Sequence, residues 1–124
     1  MRLVLPVVLA VLLAPAAAHA AYRDFRSPSG KLGCGFYSDA ETPPLVRCDW
    51  QGADDRAVQL RETGRARLRH VTDTVMNPEA KVLRYGTSTT FRRLKCVSRR
   101  QGIKCRSLVS GHGFWVSVDE RQRF

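Results

Sequence analysis

Residues Phe91 to Val116, FRRLKCVSRRQGIKCRSLVSGHGFWV, decide how the chain is read. They predict two antiparallel strands closed by a disulfide and followed by a third strand. With Arg100 and Gln101 at the turn, Cys96 falls opposite Cys105. Side chains alternate between the faces of a sheet, so Leu94, Cys96 and Ser98 share a side with Ile103, Cys105 and Ser107. The opposite side carries Val97 and the cations Arg93, Lys95, Arg99, Lys104 and Arg106. One face is suited to a core. The other presents a cationic surface to solvent and, within the hairpin itself, no aromatic residue.

The same alternation extends toward the N-terminus. Tyr22 to Ser27 predicts a strand ending in the turn Ser27-Pro28-Ser29-Gly30, where proline pre-sets one dihedral and glycine supplies a positive φ. Lys31 to Tyr37 follows, with Gly33 and Gly35 flanking Cys34; glycines inside a strand mark a bulge or a close backbone approach. A proline-containing loop, Asp39 to Pro44, leads to Leu45 to Trp50, which can return Cys48 to Cys34. Ala57 to Arg61 and Arg65 to Val71 predict a further hairpin, with a helix from Asp54 to Glu62 as the alternative. In its second arm Ala66, Leu68 and His70 point one way, and Arg65, Arg67 and Arg69 the other. Phe91 and Leu94 break strict alternation, which suggests a bulge near Arg92-Arg93. Phe114, Val116 and Val118 alternate with Trp115 and Ser117 in the last strand, and Asp119 to Phe124 reads as one helical turn packing Phe124 back onto the sheet. Short strands without a long amphipathic helix predict an all-β fold, a small disulfide-stabilised antiparallel barrel or a two-layer sandwich built of hairpins.

Residues 1 to 20 read as a signal peptide: Arg2, the apolar run Leu3 to Leu13, then small residues ending in Ala18-His19-Ala20. That run is too short to span a bilayer as a helix. Removing 20 of the 124 residues leaves 104, enough for a single secreted β domain from 21 to 124. Without Arg2 the formal charge falls from +10 to +9, which favours anionic partners. The cysteines, Cys34, Cys48, Cys96 and Cys105, lie in the part expected to be exported to the periplasm or the medium, where thiols are oxidised. None is at Cys-x-x-Cys spacing, which argues against a structural zinc site or a thioredoxin-type redox site, and no cofactor motif is present. Of the three possible connectivities, Cys34 with Cys48 and Cys96 with Cys105 is preferred, because each closes a loop of hairpin size.

The order Ser27-Pro28-Ser29-Gly30, Gly33-Cys34, Arg47-Cys48-Asp49, Asp73-Thr74, Tyr85-Gly86-Thr87, Cys96, Gly102 to Cys105 and Gly111-His112-Gly113-Phe114 resembles a family of small secreted bacterial proteins known only as a domain of unknown function. The resemblance spans nearly all of residues 21 to 124 and implies export and disulfide bonding, but no ligand or activity. The family pattern has a further cysteine pair, one member just before the Asp-Thr element. Here Leu68 to Thr74 contains His70 and no cysteine.

The cationic residues Arg93, Lys95, Arg99, Lys104 and Arg106, extended by Arg65, Arg67 and Arg69, are the best binding candidates, because the planar guanidinium fork grips phosphate or carboxylate at two points. A solvated face without a ligand is the competing reading. Without an aromatic stacking platform, anionic envelope polymers or a protein partner fit better than nucleic acid. His112, between Gly111 and Gly113, offers an alternative: a small basic hydrolase of phosphodiesters or glycans. The glycines would equally serve a bulge or a strand crossing. Such an enzyme needs a second group, and the spacing of Asp49, Asp73, Glu79, Asp119 and Glu120 selects none. His70 reads as a packed core or edge histidine. Trp50, Trp115, Tyr37 and Phe36 read as core residues, with a sugar- or peptide-binding surface as the alternative.

Overall fold

The computed structural model describes residues 2–11 and 19–124. Residues 12 to 18, which hold the end of the expected apolar run and most of the small-residue stretch Ala14 to Ala20, lie outside the described residues. Residues 2–11 have no regular secondary structure and are exposed. No helix among the described residues is long and apolar enough to cross a membrane.

From Ala21 onward the fold is all-β. One sheet contains β1 (Ala21–Arg26), β2 (Leu32–Ser38), β3 (Leu45–Trp50), β4 (Arg56–Arg61) and β5 (Arg67–His70), paired antiparallel in sequence order. The other contains β6 (Ser88–Phe91), β7 (Leu94–Arg99), β8 (Gly102–Ser107), β9 (Gly113–Val116) and β10 (Arg121–Arg123), again as neighbours in order. Their inner faces share one core: Phe25, Cys34, Phe36, Val46, Cys48, Val58 and Leu60 from the first sheet meet Leu94, Cys96, Ile103, Cys105, Phe114 and Val116 from the second. The architecture is thus the two-layer sandwich of the two expected forms, and the residues after Asp54 form a strand rather than a helix.

Both cysteine pairings are as expected. Cys34 lies directly opposite Cys48 and Cys96 opposite Cys105, each bonded pair with a Cα–Cα distance of 4.1 Å, close to the narrow pairs of an antiparallel ladder. Each sheet therefore carries one staple, buried in the shared core. Arginines close the open sides of the sandwich where strand pairing does not. On the β1/β6 side, Arg23 donates to Thr89 Oγ1 (3.1 Å) and to the Thr90 carbonyl, and its guanidinium lies 5.4 Å from the Phe36 ring centroid. On the β5/β10 side, Arg123 donates to the Ala66 carbonyl (3.4 Å), and Arg121 stacks 4.1 Å from the buried Trp50 ring centroid.

The connection from β5 to β6 crosses the outer face of the first sheet. It passes over Gly33, where an added Cβ would stand 2.9 Å from Met76 Cα, and then joins β1 through Arg26 N–H to the Lys81 carbonyl and Leu83 N–H to the Arg26 carbonyl, both 2.9 Å. The glycines around Cys34 thus serve close approach, not a bulge: pairing with β1 and β3 runs unbroken through Gly33 to Gly35.

Two local expectations are corrected. No bulge occurs at Arg92-Arg93; Phe91 pairs with Leu94 across a two-residue turn with Arg92 at φ +54°, so Arg93 sits in the turn and not on the hairpin ladder. The tail forms β10 instead of a helical turn, because Phe124 and Gly113 exchange backbone hydrogen bonds of 2.9 and 3.0 Å. Phe124 does return to the sheet, but to its outer surface. Of the two places expected for His70, it takes the edge, where it is exposed: among the described residues β5 is a short edge strand with no neighbour beyond it, and Leu68 on the same side is 49% exposed.

Candidate functional site

The β7–β8 hairpin sorts its side chains as its alternation requires. Leu94, Cys96, Ser98, Ile103, Cys105 and Ser107 are fully buried, while Lys95, Val97, Arg99, Lys104 and Arg106 face outward around a shallow depression of about 240 Å³. The sixth residue lining it is Trp115, from β9. Cross-strand register explains why: Val97 pairs with Lys104 and Lys104 with Trp115, which places all three in one row on the outer face. Gly113 lies beside Arg106 in the next row, and Phe124 packs on it, since a Cβ at Gly113 would lie 2.6 Å from the Phe124 ring. The Lys104 ammonium sits between the two aromatic rings, 5.5 Å from the Trp115 centroid and 5.2 Å from that of Phe124. Cation–π attraction of this kind orients an ammonium without neutralising it.

This face therefore carries aromatic residues, contrary to the reading of the hairpin alone, and Trp115 belongs to it rather than to the core. Trp50 and Phe36 are buried as expected; Tyr37 is half-buried and donates to Asp39. Among the described residues none of Lys95, Arg99, Lys104 and Arg106 forms an ion pair.

Arg65, Arg67 and Arg69 do not extend this surface. They belong to the outer face of the first sheet, the opposite side of the sandwich, where with Gln59, Arg61, Thr63 and Gly64 they line a depression of about 220 Å³. Sequence alternation alone leaves the relation of the two stripes open, since it does not tell which sheet a strand joins.

Two of the carboxylates named for a hydrolase, Asp49 and Asp73, have structural work. Asp49, 4% exposed, accepts from Arg47 Nε (2.9 Å), Arg47 Nη2 (3.0 Å), Thr74 Oγ1 (3.0 Å) and the Val75 amide (3.1 Å). Arg47 also donates to Asp73 Oδ1 (2.8 Å) and to the Asp73 carbonyl (2.9 Å). Burial disfavours the Arg47 charge, yet its hydrogen bonds to Asp49 and Asp73 outweigh this and hold the guanidinium cationic. The Arg47-Cys48-Asp49 and Asp73-Thr74 elements are thus the two halves of one clamp that holds the β5–β6 connection against β3. The His112 imidazole forms no hydrogen bond or ion pair among the described residues; the backbone around it makes a turn, with Gly111 at φ +78° and its amide donating to the Ser107 carbonyl. No group of three His, Cys, Asp or Glu that could hold a metal occurs among the described residues.

The clamp predicts an acid sensitivity. The Arg47 hydrogen bonds and charge hold the Asp73 carboxyl below its ordinary range, so the folded chain binds that proton less readily than the unfolded chain. The resulting stability is fully present above the unfolded-state value of about 3.9 and is lost as pH falls through the lower folded-state value. Asp73→Asn should accordingly lower stability at pH 7 and lose less than the parent between pH 5 and pH 2. Urea midpoints across that range test this. Asp39, held low chiefly by the Tyr37 hydrogen bond, leaves a residual slope in the variant; an identical slope in both proteins would contradict the assignment.

Fold and surface together define a disulfide-bonded, two-layer all-β domain with an unpaired cationic face built around a half-exposed tryptophan. Searches against protein-family models, curated proteins and solved structures give no match, so the family resemblance rests on its motifs alone.

Proposed function

We propose that the chain is an exported, non-enzymatic binding domain that contacts anionic envelope polymers through the outer face of β7–β9. The observation that carries this reading is the gathering of Lys95, Arg99, Lys104 and Arg106 around one depression with, among the described residues, no ion-paired carboxylate. Like charges brought together across neighbouring strands destabilise a sheet, and an anionic ligand relieves that repulsion. Lys104 is held between Trp115 and Phe124, which presents its charge in a fixed place and occupies the rings that a nucleobase would need for stacking. An anionic polymer bound by charge and hydrogen bonding therefore fits better than single-stranded nucleic acid. Export is supported by the N-terminal apolar run with its small-residue ending and by the two disulfides, which persist in oxidising compartments. Among the described residues no carboxylate or second histidine is hydrogen-bonded or ion-paired to the His112 imidazole, and the hydrolase reading is not adopted.

Retention of oxidised protein on peptidoglycan, lipopolysaccharide, heparin and RNA, followed as salt is raised, tests the proposal. Arg99→Glu with Lys104→Glu should weaken retention on the preferred polymer by on the order of tenfold, whereas His112→Ala should leave it unchanged. An unaltered salt profile in the charge reversal would sink the binding face. Breakdown of a polymer that stops on His112→Ala would establish the hydrolase instead, and failure on every polymer would direct the search to a protein partner.

A further inference from the structure

Arg61, Arg65, Arg67 and Arg69 surround a second depression, on the far side of the sandwich from Lys104 and Trp115. None of the four forms an ion pair or a side-chain hydrogen bond among the described residues. The neighbouring Arg47, whose strand pairs Arg47 with Gln59, is treated differently: two carboxylates neutralise it. Gln59 lies opposite Arg67, and besides the guanidinium groups only the neutral Gln59, Thr63 and Gly64 line the depression. Four arginines and no lysine line it, which suits two-point contacts with phosphate, sulfate or carboxylate groups.

From this geometry we infer that the domain holds two anionic polysaccharide chains at once, one on each outer face, and so cross-bridges them. The inference rests on the polyanion reading of the β7–β9 face and adds a second site of the same chemistry. Sheets packed face to face lie about 10 Å apart, and the cationic side chains of the two faces project in opposite directions. A chain seated in one depression reaches the other only by passing round an edge of the sandwich. The arginines at both edges are already committed within the fold and offer no continuous cationic path between the faces: Arg121 and Arg123 to Trp50, the Val118 carbonyl and the Ala66 carbonyl on one side, and Arg23 to Thr89, Thr90 and Phe36 on the other. The edge arginines hold the layers together, whereas the face arginines and lysines remain available to ligands.

The test uses heparin as the anionic polysaccharide. Oxidised full-length protein is loaded on immobilised heparin, washed, and offered a short fluorescent heparin. The unaltered protein should capture the second chain. Arg67→Glu with Arg69→Glu should still be retained on the surface through the β7–β9 face, yet capture at least about tenfold less of the second chain; Arg99→Glu with Lys104→Glu should show the same loss of capture. The milder pair Arg67→Gln with Arg69→Gln, at exposed positions, guards against a folding defect and should reduce capture in the same direction. Retention of the unaltered protein without capture would overturn bridging while leaving the first face standing, as would capture that persists at full level in both charge-reversed proteins. Absence of any retention would overturn both readings together.

Discussion

Asp49→Ala is expected to destabilise the domain by about 3 to 5 kcal/mol, the range found when one partner of a buried ion pair is removed. Asp49 accepts four hydrogen bonds while 4% exposed. Its loss leaves the Arg47 side chain, 12% exposed, with only Asp73, which is 77% exposed and a correspondingly weaker partner. It also strands Thr74 Oγ1 and the Val75 amide, so the cost includes releasing the β5–β6 connection from the sheet. Single domains are typically stable by about 5 to 15 kcal/mol, and for one of about 100 residues each kcal/mol moves the melting temperature by roughly 4 to 8 °C. A fall in Tm of more than about 10 °C is therefore expected for Asp49→Ala. Asp49→Asn, which keeps the shape and one acceptor oxygen, should fall between. A loss below about 1 kcal/mol in the alanine variant would mean that the clamp behaves as an ordinary surface ion pair.

Removing the disulfides should have an effect of similar size. The bonded cysteines are separated by 14 and 9 positions, and loops of that size imply about 3 kcal/mol for Cys34–Cys48 and slightly less for Cys96–Cys105, on a chain-entropy account. All four cysteines are fully buried, so Cys→Ala pairs add a packing cost. Each staple joins adjacent strands within one sheet, which makes the two contributions separable: either Cys→Ala pair alone should lower the denaturant midpoint, and both together should leave the domain largely unfolded at 37 °C. Denaturation of the parent with and without reductant provides the same comparison without mutation. A midpoint indifferent to reductant would show that the core alone sustains the fold.

How much of this was legible in the sequence differs from residue to residue. The inward set Leu94, Cys96, Ser98, Ile103, Cys105 and Ser107 and the outward set Lys95, Val97, Arg99, Lys104 and Arg106 followed from a period of two and one turn. Both cysteine pairs followed from loop length. Trp115 was within reach as well: once Phe114 and Val116 point inward, Trp115 points outward, and pairing of β9 with β8 brings it beside Lys104. Reading the hairpin without its neighbour hid that. Arg93 and the conformation of the tail escape a local reading, since a two-residue turn and a three-residue edge strand carry too few residues to show a period.

Other features had no local signal. Asp49 gave no sign of Thr74 and Val75, nor Arg47 of Asp73, because those partners lie more than twenty positions away along the chain. The sequence by itself determined most of the strands, the two sides of the β7–β8 hairpin and the staples, because alternation and loop closure act over a few residues. Only the tertiary structure decided that the arginine stripes face away from each other, that the β5–β6 connection crosses over Gly33, and that arginines close both edges. Those outcomes depend on which strands share a sheet and how two sheets bury a common core, and that is set by packing across the whole chain rather than by any one segment.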